Sequence, residues 1–308
     1  GCVWMAKERV LIGSPVRERA CVLRAFLISL KSVEHEGFDI DYIFIDDNDS
    51  EVSGKLLADF KRDGSSVTVL PSVKGIAAED SALRKETQLV RVAGYRNRII
   101  RYAMQNDYDA VFLVDSDLIV HPELVEYLRA AKKGVISELF WAKSNAGHSS
   151  GPNAWLMEER APNSDKRNAA LYKKEADRRK RQFADRLKVS GVYEAGGLGS
   201  CTYIDRASME GGIRFVPARD PAQQEEALFF CIRSGSMDIP LFVDTTYPAY
   251  HIHGEKDLEG ALDYIRSSRG NTLQFPVKRK QIGRGVNGKA KLPPPGRKAS
   301  DRKDGNRE

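Results

Sequence analysis

The run Asp109-Ala110-Val111-Phe112-Leu113-Val114-Asp115-Ser116-Asp117 constrains this chain more than any other stretch. An apolar, β-branched segment ending in Asp-x-Asp predicts a buried strand that delivers two carboxylates to its carboxyl end. Strand periodicity puts residues two apart on one side, so Asp115 and Asp117 are expected to face a common point. Carboxylates that close together raise each other's pKa unless a cation lies between them. A hard divalent ion, Mg²⁺ or Mn²⁺, shared with the phosphate oxygens of a substrate, relieves that repulsion. The competing reading is a strand end running into a helix cap, because Asp is common in turns and caps.

At 308 residues, 41% apolar and 30% charged, the chain has the composition of a globular protein able to bury a sizeable core. Its apolar runs fall well short of the ~20 residues needed to span a bilayer. No basic-then-apolar leader of the secretory kind is expected from it either. Cys2, Cys21, Cys201 and Cys231 are scattered, with no Cys-x-x-Cys pair to suggest zinc or redox work. Such cysteines fit a reducing compartment, so a cytoplasmic protein is expected.

The net charge of +6 is unevenly spread. From Pro276 to Glu308 eleven Lys and Arg stand against three Asp and Glu, a local +8 that leaves −2 for the rest. The basic character belongs to this tail. With Pro293-Pro294-Pro295 and few hydrophobics, residues 275–308 are expected to be disordered.

Strand and helix patterns alternate through the first half. Strands are predicted at Arg9–Gly13, Ile40–Ile45, Val67–Leu70, Val111–Val114 and Val135–Trp141. Helices are predicted after Ser14-Pro15-Val16-Arg17 through about Ser32, over Glu51–Phe60 and Arg91–Met104, and over His121–Ala131 with Pro122 as first helical residue. The alternation predicts an α/β fold over residues 1–274, a mostly parallel sheet with helices on both faces. Ligands of such sheets bind at the carboxyl ends of the strands. Ser14–Arg17, Asp46–Ser50 and Asp115–Asp117 are the three polar strand ends.

The pattern breaks after Lys143. Ser144–Asn163, rich in Gly, Pro, Asn and Ser, reads as a loop, and Asp165–Lys188 as a strongly basic helix. Together they form a helical insertion of about residues 144–190. The helix faces either water or an anionic acceptor. A glycine-rich turn then enters a strand at Gly196–Ile204. A helix opens at Glu225-Glu226, and the short strand Leu241–Val243 precedes Tyr250-His251-Ile252-His253.

Taken in order, Ser14-Pro15-Val16-Arg17, Ile45-Asp46-Asp47-x-x-Ser50 and Val114-Asp115-Ser116-Asp117 form one half of a larger pattern. Gly196-Gly197-Leu198-Gly199-Ser200-Cys201 follows, then Glu225-Glu226-x-x-x-Phe230-Cys231-Ile232-Arg233 and Tyr250-His251. The ordered set resembles the family 2-like glycosyltransferases of the GT-A (Rossmann-like) fold, in the nucleotide-diphospho-sugar transferase superfamily. The likeness runs from Val10 to Asp257. It implies metal-dependent, inverting transfer of a sugar from a nucleotide-diphosphate donor, by default a UDP-sugar, to a hydroxyl acceptor that it does not identify.

The same resemblance distributes roles. Asp46 and Asp47 would accept hydrogen bonds from the base or ribose, with Ser14, Pro15 and Arg17 shaping the base pocket and Arg96 near the nucleotide. Asp115, with Ser116 beside it, would face the ribose or share the metal. Asp117 would hold the metal, Mn²⁺ or Mg²⁺, with His251 as a further ligand and His253 its close rival. Gly196 and Gly197 would let the backbone approach the sugar and acceptor. Glu226 beside Glu225 would be the base that deprotonates the acceptor, one methylene longer than the family's usual Asp. The residues alone leave plainer alternatives: caps for Asp46, a surface ion pair for Arg96, a tight turn for the glycines, a helix start for the glutamates. Three other functions compete. One is a non-catalytic nucleotide-sugar binder, another a nucleotidyltransferase, and the third a nucleic-acid binder using the basic helix and tail, for which the sequence offers no motif or aromatic platform.

Overall fold

A computed structural model describes residues 7–73, 81–143, 150–156, 169–215 and 238–269. Its first half contains β1 (Glu8–Val16), α1 (Ala20–Lys31), β2 (Phe38–Asp46), α2 (Glu51–Ala58), β3 (Val67–Pro71) and α3 (Ser81–Gln105). These are followed by β4 (Ala110–Leu113), β5 (Leu118–Ile119), α4 (Leu124–Ala130), β6 (Val135–Glu138) and β7 (Trp141–Lys143). Next come β8 (Ser150–Pro152), β9 (Ala154–Trp155), α5 (Ala169–Arg186), β10 (Val192–Ala195), β11 (Gly197–Leu198), β12 (Thr202–Asp205) and α6 (Arg206–Glu210). The described chain ends with β13 (Leu241–Asp244), β14 (Tyr250–His251) and α7 (Leu258–Arg269).

An eight-stranded sheet in the order β10-β13-β6-β12-β4-β1-β2-β3 forms the centre. Pairing is parallel for β1 with β2 and β4, for β2 with β3 and for β6 with β13; β12 runs antiparallel between β4 and β6. Residues alternate between the two faces along each strand. In β1, Val10, Ile12 and Val16 join the core packed by Phe26 and Leu30 of α1, Leu124 of α4 and Ile265 of α7. Leu11 joins the other core, with Ile99 and Ile100 of α3, Phe183 of α5 and Met209 of α6. Both faces are covered, as the alternation predicted.

The chain leaves β1 for β2 and β3 on one side and returns as β4 on the other. This reversal opens a crevice at the carboxyl ends of β1 and β4, where α/β sheets take their ligands. β12 enters the sheet with Thr202 level with Leu113, so the glycine-rich turn before it sits at that same edge.

Close packing of α3 on β1 depends on Gly13. A Cβ there would run into Cγ2 of Ile99, on the neighbouring helix. Gly13→Ala is therefore expected to lower stability by about 1–3 kcal/mol, the usual cost of overpacking a core. Denaturant unfolding measures it, and a midpoint equal to that of the unsubstituted chain would contradict this packing.

Several boundaries differ from expectation. β1 continues through Ser14 and Pro15 to Val16, in register with Phe44, Ile45 and Asp46, so the polar strand end begins only at Arg17. The helix after His121 starts at Leu124, because Pro122 and Glu123 form a turn whose Glu123 N–H donates to Nδ1 of His121. The strand expected from Val135 to Trp141 breaks into β6 and β7. Part of the expected 144–163 loop is paired: β8 runs antiparallel to β7, and β9 to β11. Asn153 lies between them. A turn-forming residue in sequence, it is buried here, its Oδ1 accepting from Phe140 N and its Nδ2 donating to Glu138 O, at 2.9 Å each. The expected tail and the Glu225-Glu226 helix lie outside the described residues.

Candidate active site

Three strand ends meet the crevice. After β2, Oδ1 of Asp46 accepts from the N–H and the side-chain amide of Asn48, at 3.1 and 2.7 Å. This side-chain-to-backbone turn halts the strand and orients the carboxylate. Its Oδ2 lies 3.2 Å from where a Cβ on Gly54 would sit, so α2 can approach Asp46 because residue 54 has no side chain. Asp47 is gripped by α3, with Arg91 Nη2 at 3.3 Å and the Tyr95 hydroxyl donating at 3.2 Å. Burial raises the Tyr95 pKa, so that hydroxyl keeps its proton and donates.

One position further along α3, Arg96 is buried beneath the second strand end. Its Nη2 lies 2.5 Å from Oδ1 of Asp115, and its guanidinium stacks over the Phe215 ring at 5.2 Å. The surface ion pair weighed for Arg96 from the sequence is thus excluded. Buried charges persist only when paired, and this pair joins α3 to the end of β4.

Asp115 and Asp117 do not lie on a strand. β4 stops at Leu113, and the Leu118 N–H returns to Asp115 O at 3.2 Å, which closes a turn. The strand-period argument therefore fails beyond Val114, and each carboxylate faces a different partner. Oδ2 of Asp117 meets Nε2 of His251 at 3.1 Å. The backbone sets this up: β14 pairs with β5 with His251 opposite Leu118, and Ile252 N–H donates to Asp117 O at 2.9 Å. His251 packs edge-on to Phe140 and lies 4.0 Å from the His253 ring. It is His251, not His253, that the pairing turns toward Asp117. Nδ1 of His251 is buried and has no hydrogen-bond partner among the described residues.

A carboxylate and an imidazole 134 positions apart in sequence thus converge beside the crevice. Among the described residues no group of three or more His, Cys, Asp and Glu side chains is arranged to hold a metal ion. Two protein ligands fit an ion that takes the rest of its shell from substrate phosphates and water.

The other predicted residues are placed as follows. Ser14 is fully buried within β1, its hydroxyl on Pro15 O at 3.2 Å, so it packs and does not line a pocket. Pro15 is half-buried beside Ile45. Arg17 is exposed and ion-paired to Asp49 at 2.7 Å. Ser116 is buried in the turn. Gly197 pairs with Trp155 in a short ribbon, and Gly199 N–H donates to Asn153 O at 2.6 Å, so Asn153 anchors the glycine turn. Glu225 and Glu226 lie outside the described residues.

Glu18 joins the site unforeseen. It follows Arg17 directly, and burial, with a smaller contribution from the charge of Asp117, raises its pKa. Its Oε1 accepts from Arg19 N–H at 2.9 Å, and its own N–H donates to Asn48 Oδ1 at 2.8 Å. Through Asn48, Glu18 therefore ties the end of β1 to the end of β2. Its signal in the sequence was adjacency to the polar segment after β1.

No protein-family model matches this chain, and neither does any curated protein. The structure is similar to S. aureus TarS. For TarS 1–349 the identity is 12% and the TM-score 0.45, with 85% of this chain and 66% of that one covered. For the same fragment in complex with UDP-GlcNAc the values are 12% and 0.44, over 85% and 67%. Against a longer TarS chain, at 12% identity and a TM-score of 0.44, this chain spans 39% of the length.

Proposed function

We propose that this chain is a metal-dependent, inverting glycosyltransferase that uses a nucleotide-diphosphate sugar, by default a UDP-sugar. The observation that carries the reading is the convergence of Asp117 and His251, 134 positions apart in sequence, at 3.1 Å beside the β1/β4 crevice. The order of the other polar strand ends around that crevice supports it.

In this mechanism Asp46 and Asp47 receive the base and ribose, and Arg91 and Tyr95 keep Asp47 aimed. Arg96 holds the Asp115 carboxylate in place at the ribose. Asp117 and His251 hold the divalent ion, which when bound neutralises charge on the departing diphosphate. The Asn153-anchored glycine turn offers main chain to the sugar from the β12 side. Glu226 takes the proton from the acceptor hydroxyl as that oxygen attacks the anomeric carbon opposite the leaving group. The C–O bond to the diphosphate breaks as the new glycosidic bond forms, and the nucleoside diphosphate leaves. Positioning and leaving-group neutralisation supply most of the rate.

Incubation with a panel of nucleotide-sugars, in Mn²⁺ or EDTA, with assay of released nucleoside diphosphate, tests the reading. One donor is expected to turn over with metal only. Glu226→Gln is expected to cut transfer by about 10²–10⁴-fold, the range of a lost general base, with little change in donor affinity. Donor binding without turnover would mark a non-catalytic binder, and no binding to any donor would refute the proposal.

A further inference from the structure

Successive positions on a helix point about 100° apart, yet two consecutive residues of α3, Arg96 and Asn97, both meet Phe215. The Phe215 N–H donates to Oδ1 of Asn97 at 2.7 Å, and Nδ2 of Asn97 donates back to Phe215 O. One carboxamide thus satisfies both main-chain groups of a residue 118 positions away, as a neighbouring strand would. The ring of Phe215 lies under the Arg96 guanidinium at 5.2 Å, and Nη2 of Arg96 reaches Oδ1 of Asp115. The preceding residue follows the same helix, with Nη2 of Arg214 lying 3.7 Å from the Met104 sulfur. Phe215 is itself buried, in the core that holds Ile99 and Ile100.

We infer that Asn97 is a positioning residue for the Arg96–Asp115 pair, acting through the Phe215 ring; that the pair serves a nucleotide donor rests on the transferase reading above. The argument is directional. A buried guanidinium needs its charge answered at its edge and its flat face covered. Asp115 answers the edge of Arg96, and Phe215 covers a face. A phenyl group has no polar atom with which to fix its own orientation, so the orientation must come from its main chain. Asn97 fixes that main chain with both of its bonds. Burial alone would be met by the apolar contacts of Phe215, whereas a two-bond clamp also decides where the ring stands.

Asn97→Asp is the least disturbing test. It keeps the shape and the acceptor for Phe215 N–H, but sets an oxygen against Phe215 O. Phe215→Leu removes the ring face and retains apolar bulk. Both are compared with the unsubstituted full chain by the Arg96 Nε–H resonance in proton–nitrogen correlation spectra, and by donor KM and kcat with the nucleotide-sugar that turns over. Both variants are expected to shift the Arg96 resonance. Each is also expected to raise donor KM roughly tenfold, the scale of one hydrogen bond to a charged group, with kcat and the Mn²⁺ requirement little changed. In an Asp115→Asn background the penalty of Asn97→Asp is expected to shrink to about twofold or less, because members of one network are not additive. A purely structural role predicts a lower melting temperature with unchanged KM and an additive double variant. That pattern, or an unmoved Arg96 resonance, would overturn the inference. Turnover of no donor by the unsubstituted chain would refute the transferase reading, while the Arg96 resonance still decides whether Asn97 positions the pair.

Discussion

Asp117→Ala is expected to reduce Mn²⁺-supported release of nucleoside diphosphate by about 10²–10³-fold, the scale of losing an electrostatic group at a developing charge. The geometry makes the effect specific. Asp117 is on a turn between β4 and β5, and its backbone is fixed by Ile252, so truncation removes a carboxylate without moving the strand ends. His251→Ala is expected to raise the Mn²⁺ concentration needed for half-maximal rate and to lower the rate less, since imidazole is the second ligand of the pair. Asp115→Asn behaves differently, because that carboxylate answers Arg96, which is buried. Its loss leaves a guanidinium short of its counter-charge and is expected to weaken donor binding before it touches metal dependence. Metal titrations of the three variants separate these roles. Undiminished metal-dependent turnover in Asp117→Ala would exclude the assignment.

What the sequence revealed about this site follows from how local each signal is. The β4 run and the β1–β2 alternation were legible because hydrophobic period and β-branching are properties of adjacent residues. The sheet's two-sided burial followed from them. Asp117 and His251 were named from the order of weak motifs, but their contact arises from β5–β14 pairing, and such short strands leave no periodic trace. The extension of β1 through Pro15 was hidden because proline and serine read as a turn, although a parallel neighbour can tolerate a proline whose missing N–H is not required. Asn153 and Glu18 were missed for a related reason. Their residue types suggest loops, and only the fold shows that they fasten loops to one another.

Glu138→Gln is expected to make the folded protein less sensitive to alkaline pH. Glu138 and Asp244 stand side by side on β6 and β13, both fully buried. Burial raises the Asp244 pKa, and the bonds its oxygens accept from Thr246 N–H and hydroxyl at 2.9 and 3.0 Å oppose that rise. Among the described residues neither oxygen of Glu138 accepts a hydrogen bond of ordinary geometry, and a proton held between it and Asp244 relieves the meeting of two buried carboxylates. Burial and the adjacent Asp244 push the Glu138 pKa well above the ordinary 4.5. A raised carboxyl pKa means that the folded state binds the proton more tightly than the unfolded one. The associated stability is full below the unfolded-state pKa and is lost as pH rises toward the folded-state value, by at most about 1.4 kcal/mol per pH unit. Gln keeps the shape and the donor without the ionisation. The melting temperature of Glu138→Gln should therefore match that of the unsubstituted chain in acid and exceed it increasingly as pH rises. Each kcal/mol corresponds to roughly 2–4 °C for a domain of this size. Asp244→Asn should instead destabilise at every pH, because an amide nitrogen would face one of the Thr246 donors. The consequence reaches the site: Leu139 N–H holds Asp244 O and Leu139 O holds Ala249 N–H, so the pair secures the segment that presents His251. Identical pH profiles for Glu138→Gln and the unsubstituted chain, or loss of the pH dependence in Asp244→Asn alone, would place the shared proton elsewhere.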